Sequence, residues 1–187
     1  VIGKILSKRK PKIIHSRHMN MTRFKNDIYH RWLYKNIDIL HAITNQVKMQ
    51  MEKFVPDSIR PPIETVYLGV NEPNTDENKI NNLKEKYSLN DKFVVGIIGR
   101  INEDKGQYIL IDAIKKLVNL NIAALIVGHT MNEDYLCILK AKVKNLNLEN
   151  KILFTGFTKD VNEHMKLCDT IVLASKKETF GLVLIES

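Results

Sequence analysis

Lys177-Glu178-Thr179-Phe180-Gly181-Leu182-Val183-Leu184-Ile185-Glu186 follows a short apolar run, Thr170-Ile171-Val172-Leu173-Ala174, that is rich in β-branched residues. The run reads as a buried parallel strand, and the apolar residues after Gly181 read as a helix. Two carboxylates with seven residues between them therefore straddle a strand-to-helix turn. Glu178 is expected in the loop at the strand's carboxyl end, where open parallel α/β sheets bind ligands. Glu186 is expected about one and a half turns beyond Gly181, at ~3.6 residues per turn, facing the same crevice from a rigid element. Gly181 would let a ligand approach the backbone, and the free N–H groups of the helix start would favour anionic groups.

Upstream, the same alternation repeats. Helices are expected over residues 76–87, 106–120, 132–146 and 160–167, and strands over 92–99, 122–127 and 151–154. Connections this short between strands and helices argue for parallel, helix-covered sheets. Before residue 72 the pattern is a short helix over 1–6 stopped by Pro11, a strand over 12–16, and a helix over 22–35. A strand over 37–43, a helix to Phe54 capped by Thr44, and a strand over 63–68 follow. In the helix of 22–35, Phe24, Ile28, Trp32 and Leu33 recur at helical spacing, which puts Trp32 in the core, and Asp27 can pair with Arg31. Pro56, Pro61, Pro62 and the polar turn Gly69-Val70-Asn71-Glu72-Pro73-Asn74 place a domain boundary after residue 72.

The charge is uneven across that boundary. Residues 1–72 hold 13 Lys and Arg against 6 Asp and Glu, a net +7, whereas residues 73–187 are nearly balanced, at +1. The first half is thus the one suited to an anionic partner, whether lipid headgroups, an anionic acceptor or nucleic acid, unless it is simply a solvated basic surface. No apolar run approaches the ~18 residues of a membrane span. Cys137 and Cys168 sit in apolar contexts without metal spacing, and read as buried reduced thiols of a cytosolic protein. No metal-binding cluster and no Asp-x-Asp occur. A chain that begins at Val1 and stops within an expected helix reads as a fragment.

The loop Gly99-Arg100-Ile101-Asn102-Glu103-Asp104-Lys105-Gly106 joins a buried strand to a helix and carries a cation near each end. Arg100 can fork two phosphate oxygens and Lys105 can act as a mobile point charge, which suits a diphosphate, although Glu103 and Asp104 would equally suit a surface loop. No Gly-x-Gly-x-x-Gly fingerprint supports a dinucleotide.

These residues together resemble the GT-B type retaining glycosyltransferases of family 4. Glu178 and Glu186, with Phe180-Gly181-Leu182 between them, match the family's E-x7-E motif. Residues 93–115 resemble the opening of its nucleotide-binding domain, and Asp38-Ile39-Leu40-His41-Ala42-Ile43-Thr44 resembles the last strand of its N-terminal domain. The fold so implied is α/β, with two Rossmann-like parallel-sheet domains, both incomplete: residues 1–72 are the later part of the acceptor-side domain, and 73–187 the first part of the nucleotide-sugar-binding one.

The implied activity is sugar transfer, with retention, from a nucleotide diphosphate donor to a glycan or lipid-linked acceptor, without a metal or other cofactor. A fragment of this extent would be inactive alone. In the family's pattern Arg100 and Lys105 bind the diphosphate, Glu186 the ribose, and Glu178 the sugar with the Phe180-Gly181-Leu182 backbone. Gly156 and Phe157 fall where the nucleobase is contacted, although Phe157 also reads as a loop aromatic packed on its neighbours. Of the histidines ending the first strand, His18 matches the family's position beside the transferred sugar better than His15, and it also reads as an ordinary structural residue. Gly128-His129-Thr130 departs from the common Gly-x-Gly, and Ala174 stands where Pro is frequent. The resemblance implies a cytoplasmic enzyme of polysaccharide biosynthesis, with peripheral association at an anionic membrane as one use of the basic half. An epimerase of the same fold and a nucleic-acid-binding module are the alternative readings, the second without the interleaved aromatics such modules use.

Overall fold

Ile122–Val127 is buried at all six of its positions, and that strand (β5) sits inside the larger of two parallel sheets. The computed structural model describes all residues, Val1–Ser187. The chain divides into two compact units, Val1–Gly69 and Val70–Ser187. The break falls before the expected boundary because Val66 N–H to Ala42 O, at 3.1 Å, is the last backbone bond onto the first sheet.

In the first unit, α1 (Ile2–Leu6), β1 (Ile14–Arg17), α2 (Ile28–Lys35), β2 (Ile39–Ala42), α3 (Asn45–Phe54) and β3 (Ile63–Thr65) build a three-stranded parallel sheet in the order β1-β2-β3. Thr44 caps α3 by accepting from the Val47 N–H at 3.1 Å, and this helix brings Val47 and Met51 into a core with Leu40, Ala42, Ile43 and Val55. Asp38 ties the unit together. Its carboxylate accepts from the Lys4 ammonium, from the Ile13 N–H at 2.8 Å and from Lys12 at 3.2 Å, so one side chain joins α1, the approach to β1 and the start of β2.

The second helix differs from expectation. Asp27 caps it through the His30 N–H, so it starts at Ile28 rather than Thr22, and Arg31 turns to Asn26 instead of Asp27. The residue it buries is Tyr34, while Phe24 and Ile28 point outward and Trp32 is 38 % exposed, outside the core.

In the second unit, α4 (Glu77–Lys86), β4 (Phe93–Ile98), a 3-10 turn (Glu103–Lys105), α5 (Gln107–Lys116), β5, α6 (Glu133–Asn145), β6 (Ile152–Gly156), α7 (Val161–Lys166), β7 (Thr170–Ile171) and α8 (Val183–Glu186) follow. The sheet is wholly parallel, in the order β6-β5-β4-β7. Both faces of β5 are covered: Ala124 and Ile126 pack towards the core formed with α5 and α6, and Ala123, Leu125 and Val127 towards α4 and α7. Because β5 lies on one side of β4 and β7 on the other, the strand order reverses between β4 and β7. A crevice must open there at the carboxyl ends.

The strand of 170–174 pairs over only two residues, Val95 with Thr170 and Gly96 with Ile171. Beyond them the chain turns onto the β4–α5 connection: Gly106 has φ +74, and a Cβ there would overlap the Ala174 carbonyl oxygen. Lys176 N–H also donates to the Asp104 carbonyl at 2.8 Å. Cys137 is exposed rather than buried, since it lies on the outer side of α6, whereas burial pushes the half-buried Cys168 thiol up to about 12.

Two outcomes follow from this packing. The Lys4 hydrogen bond, then the Ile13 N–H, hold the Asp38 carboxyl far below its ordinary 3.8. A lowered carboxyl stabilises the fold above its unfolded value and loses that contribution as pH falls through its folded value. Trp32, the single tryptophan, reports on this unit. Acid titration of its fluorescence should show stability draining away below about pH 4 in the wild type. Asp38→Asn should be weaker already at pH 7 and should lose less below pH 4; identical acid midpoints would refute the role of Asp38. Gly106→Ala should cost roughly 1–3 kcal/mol in urea unfolding of the second unit, from the positive φ and the backbone overlap. A change within about 0.5 kcal/mol would show that this contact is not tight.

Candidate active site

The loop leaving β4 is shaped by its own backbone bonds. Gly99 N–H donates to Val127 O and Ile101 N–H to His129 O, both at 2.9 Å, so the loop runs beside the end of β5 before it turns. Gln107, only 1 % exposed, donates through Nε2 to the Arg100 carbonyl at 3.0 Å and holds the loop's first half against the start of α5. The Arg100 side chain is left exposed. The 3-10 turn then closes with Lys105 N–H on Asn102 O at 3.1 Å and brings Lys105 round to the β7 side.

There Lys105 Nζ donates to Glu178 Oε2 at 2.9 Å, with both side chains about one-third exposed. The residues expected to bind phosphate and sugar thus meet across the β4/β7 switch point. Burial alone would raise the Glu178 carboxyl, but the Lys105 hydrogen bond and charge, with the Thr179 N–H, outweigh it and leave the group below its ordinary value. Glu178 is therefore a carboxylate at neutral pH, and Lys105 has a fixed counter-charge.

Past Glu178 the chain makes the turn that Gly181 allows. Gly181 is buried at φ +75, and a Cβ there would press on Leu173 Cδ2 at 3.0 Å. Leu182 caps α8, and Phe180 and Leu182 are half-buried beside it. Glu186 is the fourth residue of α8, about one turn from its start, because the helix begins at Val183 and not at Gly181. Its N–H is bonded to Leu182 O at 3.1 Å, and it is half-buried.

The ends of β5 and β6 form the rest of the rim. Gly156 is the last residue of β6, at φ +72, and its carbonyl accepts from Gly128 N–H at 3.1 Å. Phe157 is 70 % exposed, with its ring edge-on to His129, the centroids 6.1 Å apart. Two clefts meet at this pair. One of about 330 Å³ lies between Phe154, Lys140 and Ile101; the other, of about 240 Å³, runs from Arg100 and Gly99 to Thr158 and Val161. His129 lines both, a placement that its position two residues past the end of β5 signals and that the departure from Gly-x-Gly obscured. Gln107 was likewise unmarked in the sequence. A larger cavity, about 410 Å³, lies at the amino end of β4 among Lys84, Lys92 and Lys166, away from this rim.

His18 lies on the first unit, exposed and just past the end of β1. His15 is half-buried, and burial followed by the Arg17 charge pushes its pKa down. His41 is satisfied structurally, by Ser16 Oγ at 3.0 Å and Val66 O at 2.9 Å. No group of three or more His, Cys, Asp or Glu is placed to hold a metal ion. No helix is long and apolar enough to cross a membrane.

Residues 79–187 match the family described as glycosyl transferases group 1. Over 152 residues the chain is 28 % identical to the N-acetyl-alpha-D-glucosaminyl L-malate synthase of Bacillus anthracis, covering 80 % of this chain and 39 % of that protein. A Campylobacter jejuni relative, N-acetylgalactosamine-N,N'-diacetylbacillosaminyl-diphospho-undecaprenol 4-alpha-N-acetylgalactosaminyltransferase, is 36 % identical over 103 residues, 55 % of this chain and 27 % of its own length. Among solved structures, that of HepE from Anabaena in complex with UDP superposes with a TM-score of 0.81 at 24 % identity, over 99 % of this chain and 53 % of that one. The fold is thus that of the GT-B glycosyltransferases, of which this chain spans about half or less. With its E-x7-E turn at the end of the second sheet and the family match over more than half its length, the chain belongs to the glycosyl transferases group 1 family.

Proposed function

We propose that the chain forms part of a retaining glycosyltransferase that moves a sugar from a nucleotide diphosphate donor to a glycan or lipid-linked acceptor. The observation that carries this reading is the Lys105–Glu178 pair at the β4/β7 switch point, with Arg100 at the other end of the same loop. In support, one relative is named a glucosaminyl L-malate synthase, another a diphospho-undecaprenol N-acetylgalactosaminyltransferase, and the HepE structure is a complex with UDP.

In this reading Arg100 and Lys105 hold the diphosphate, and their fixed charge stabilises the leaving nucleotide where negative charge develops. Glu186 accepts from the ribose hydroxyls. Glu178 and the Phe180-Gly181-Leu182 backbone orient the sugar, Gly156 and Phe157 border the base, and His18 is assigned to the sugar from the other unit. Residues 1–72, with their +7 charge, face the acceptor and would also suit peripheral contact with an anionic membrane from the cytoplasmic side.

The ion pair sharpens the roles of the two glutamates. While Glu178 holds it, the Lys105 ammonium must be shared with an incoming phosphate, so Glu178→Gln releases a cation for the diphosphate. Calorimetry should show UDP or GDP binding Glu178→Gln as tightly as wild type or more tightly. In the complete enzyme, transfer from the intact donor should fall. Glu186→Gln should weaken nucleotide binding by about tenfold, the loss expected from blunting charge-assisted bonds. Arg100→Ala and Lys105→Ala should weaken the diphosphate and leave the bare nucleoside little changed. If Glu178→Gln lost the free nucleotide while Glu186→Gln kept it, the two roles would be exchanged. If none of the four mattered, the donor reading would fail.

A further inference from the structure

A separate cavity of about 260 Å³ lies between the 3-10 turn and the start of α6, lined by Asn102, Glu103, Asp104, Asn132 and Tyr135. It shares no lining residue with the two clefts of the rim. Two of its polar atoms are orphans. Tyr135 is only 8 % exposed and its hydroxyl has no hydrogen-bond partner, and Asn102 Oδ1 is buried and equally without one. Buried polar groups almost always have partners, so two such atoms on residues lining one cavity mark it as a place where a polar ligand can be held.

The chemistry of the lining restricts that occupant. Glu103 and Asp104 enter no ion pair, and Asn102 Oδ1 offers a further acceptor. Burial first, then the charge of Glu103, push the Tyr135 phenol up, so its hydroxyl faces negative potential from that carboxylate. Acceptors exceed donors and the charge is negative, which calls for a cation. A water molecule occupies about 30 Å³ of liquid, so the cavity has room for a cation together with its water shell. The positive end of α6 opposes a cation, but Glu133 and Asp134 in its first turn offset that field.

We propose that this cavity is a low-affinity site for a hard divalent cation, calcium by preference. Glu103, Asp104 and Asn102 Oδ1 would ligate it, and water held by Tyr135 would complete the shell. All-oxygen sets that include amide carbonyls suit calcium's flexible geometry better than magnesium's strict octahedron. Two carboxylates fall short of the richer clusters of tight sites, so affinity is expected around 10⁻⁴–10⁻³ M. Glu103 and Asp104 lie in the same turn as Lys105, so an ion there would stiffen the turn from which Lys105 reaches Glu178. The site stands whether or not the donor reading is correct.

Terbium tests it directly, since a bound Tb³⁺ is excited through a nearby tyrosine. Titrating the 187-residue chain with Tb³⁺ under tyrosine excitation should give saturable emission that millimolar Ca²⁺ displaces and Mg²⁺ displaces less well. The Glu103→Gln/Asp104→Asn pair should weaken Tb³⁺ at least about tenfold, in line with the loss of ligand charge. Tyr135→Phe should dim the emission. It should also keep or raise the thermal midpoint in metal-free buffer, because an orphaned hydroxyl is removed, while losing most of the rise that Ca²⁺ gives the wild type. Unchanged Tb³⁺ affinity in the double variant, emission that never saturates, or displacement by spermidine but not Ca²⁺ would each overturn the proposal.

Discussion

Gly106 and Ala174 approach so closely that only glycine fits, and the candidate site depends on that contact. It presses the connection after β4 against the connection after β7, and the Lys176 N–H to Asp104 carbonyl bond fixes the register of the two. With the backbones so held, Lys105 and Glu178 meet at 2.9 Å although 73 residues separate them in sequence. The site lies where strand order reverses, at the carboxyl ends of β4 and β7, which is where such sheets bind ligands. The cation and the carboxylate are therefore ordered before any ligand arrives. In the proposed reading a donor meets a cation already held at the rim, which it must share with Glu178.

Much of this was legible in the sequence, and the failures share a cause. The buried strand Ile122–Val127 was fixed to the residue by its unbroken apolar run, and Thr44 was identifiable as a cap from its type and place. That Lys105 and Glu178 lie on loops at the carboxyl ends of strands followed from the alternation of strands and helices, and the two side chains do meet. Periodicity misled where a cap overrode it. Phe24, Ile28 and Trp32 have helical spacing, but Asp27 starts α2 later, and Tyr34 takes the buried place. The strand of 170–174 pairs over only two residues, and its end lies against Gly106, a contact that no local pattern encodes. His129 and Gln107 have no role assignable from sequence, because theirs depend on which neighbour the fold brings near.

The two units differ in how charge is used. In the first, Asp38 concentrates three donors on one carboxylate and so spends negative charge on holding α1, β1 and β2 together within a basic segment. In the second, charges are paired across loops: Lys105 with Glu178 at the rim, and Lys79 with Asp160 at 2.7 Å between α4 and the cap of α7. Exposed pairs of the latter kind are worth little in stability. The rim pair lies within the crevice, where its value is in orienting a cation toward a ligand.

The central claim is that the β4 and β7 loops act as one diphosphate-binding surface. Hydrogen–deuterium exchange of the chain with saturating UDP, compared with uridine, tests this most directly. The account predicts that UDP slows exchange in residues 99–106 and 175–181 together, and that uridine leaves both nearly unchanged. Protection confined to one loop, or found instead around residues 89–92 at the opposite end of the sheet, would contradict it.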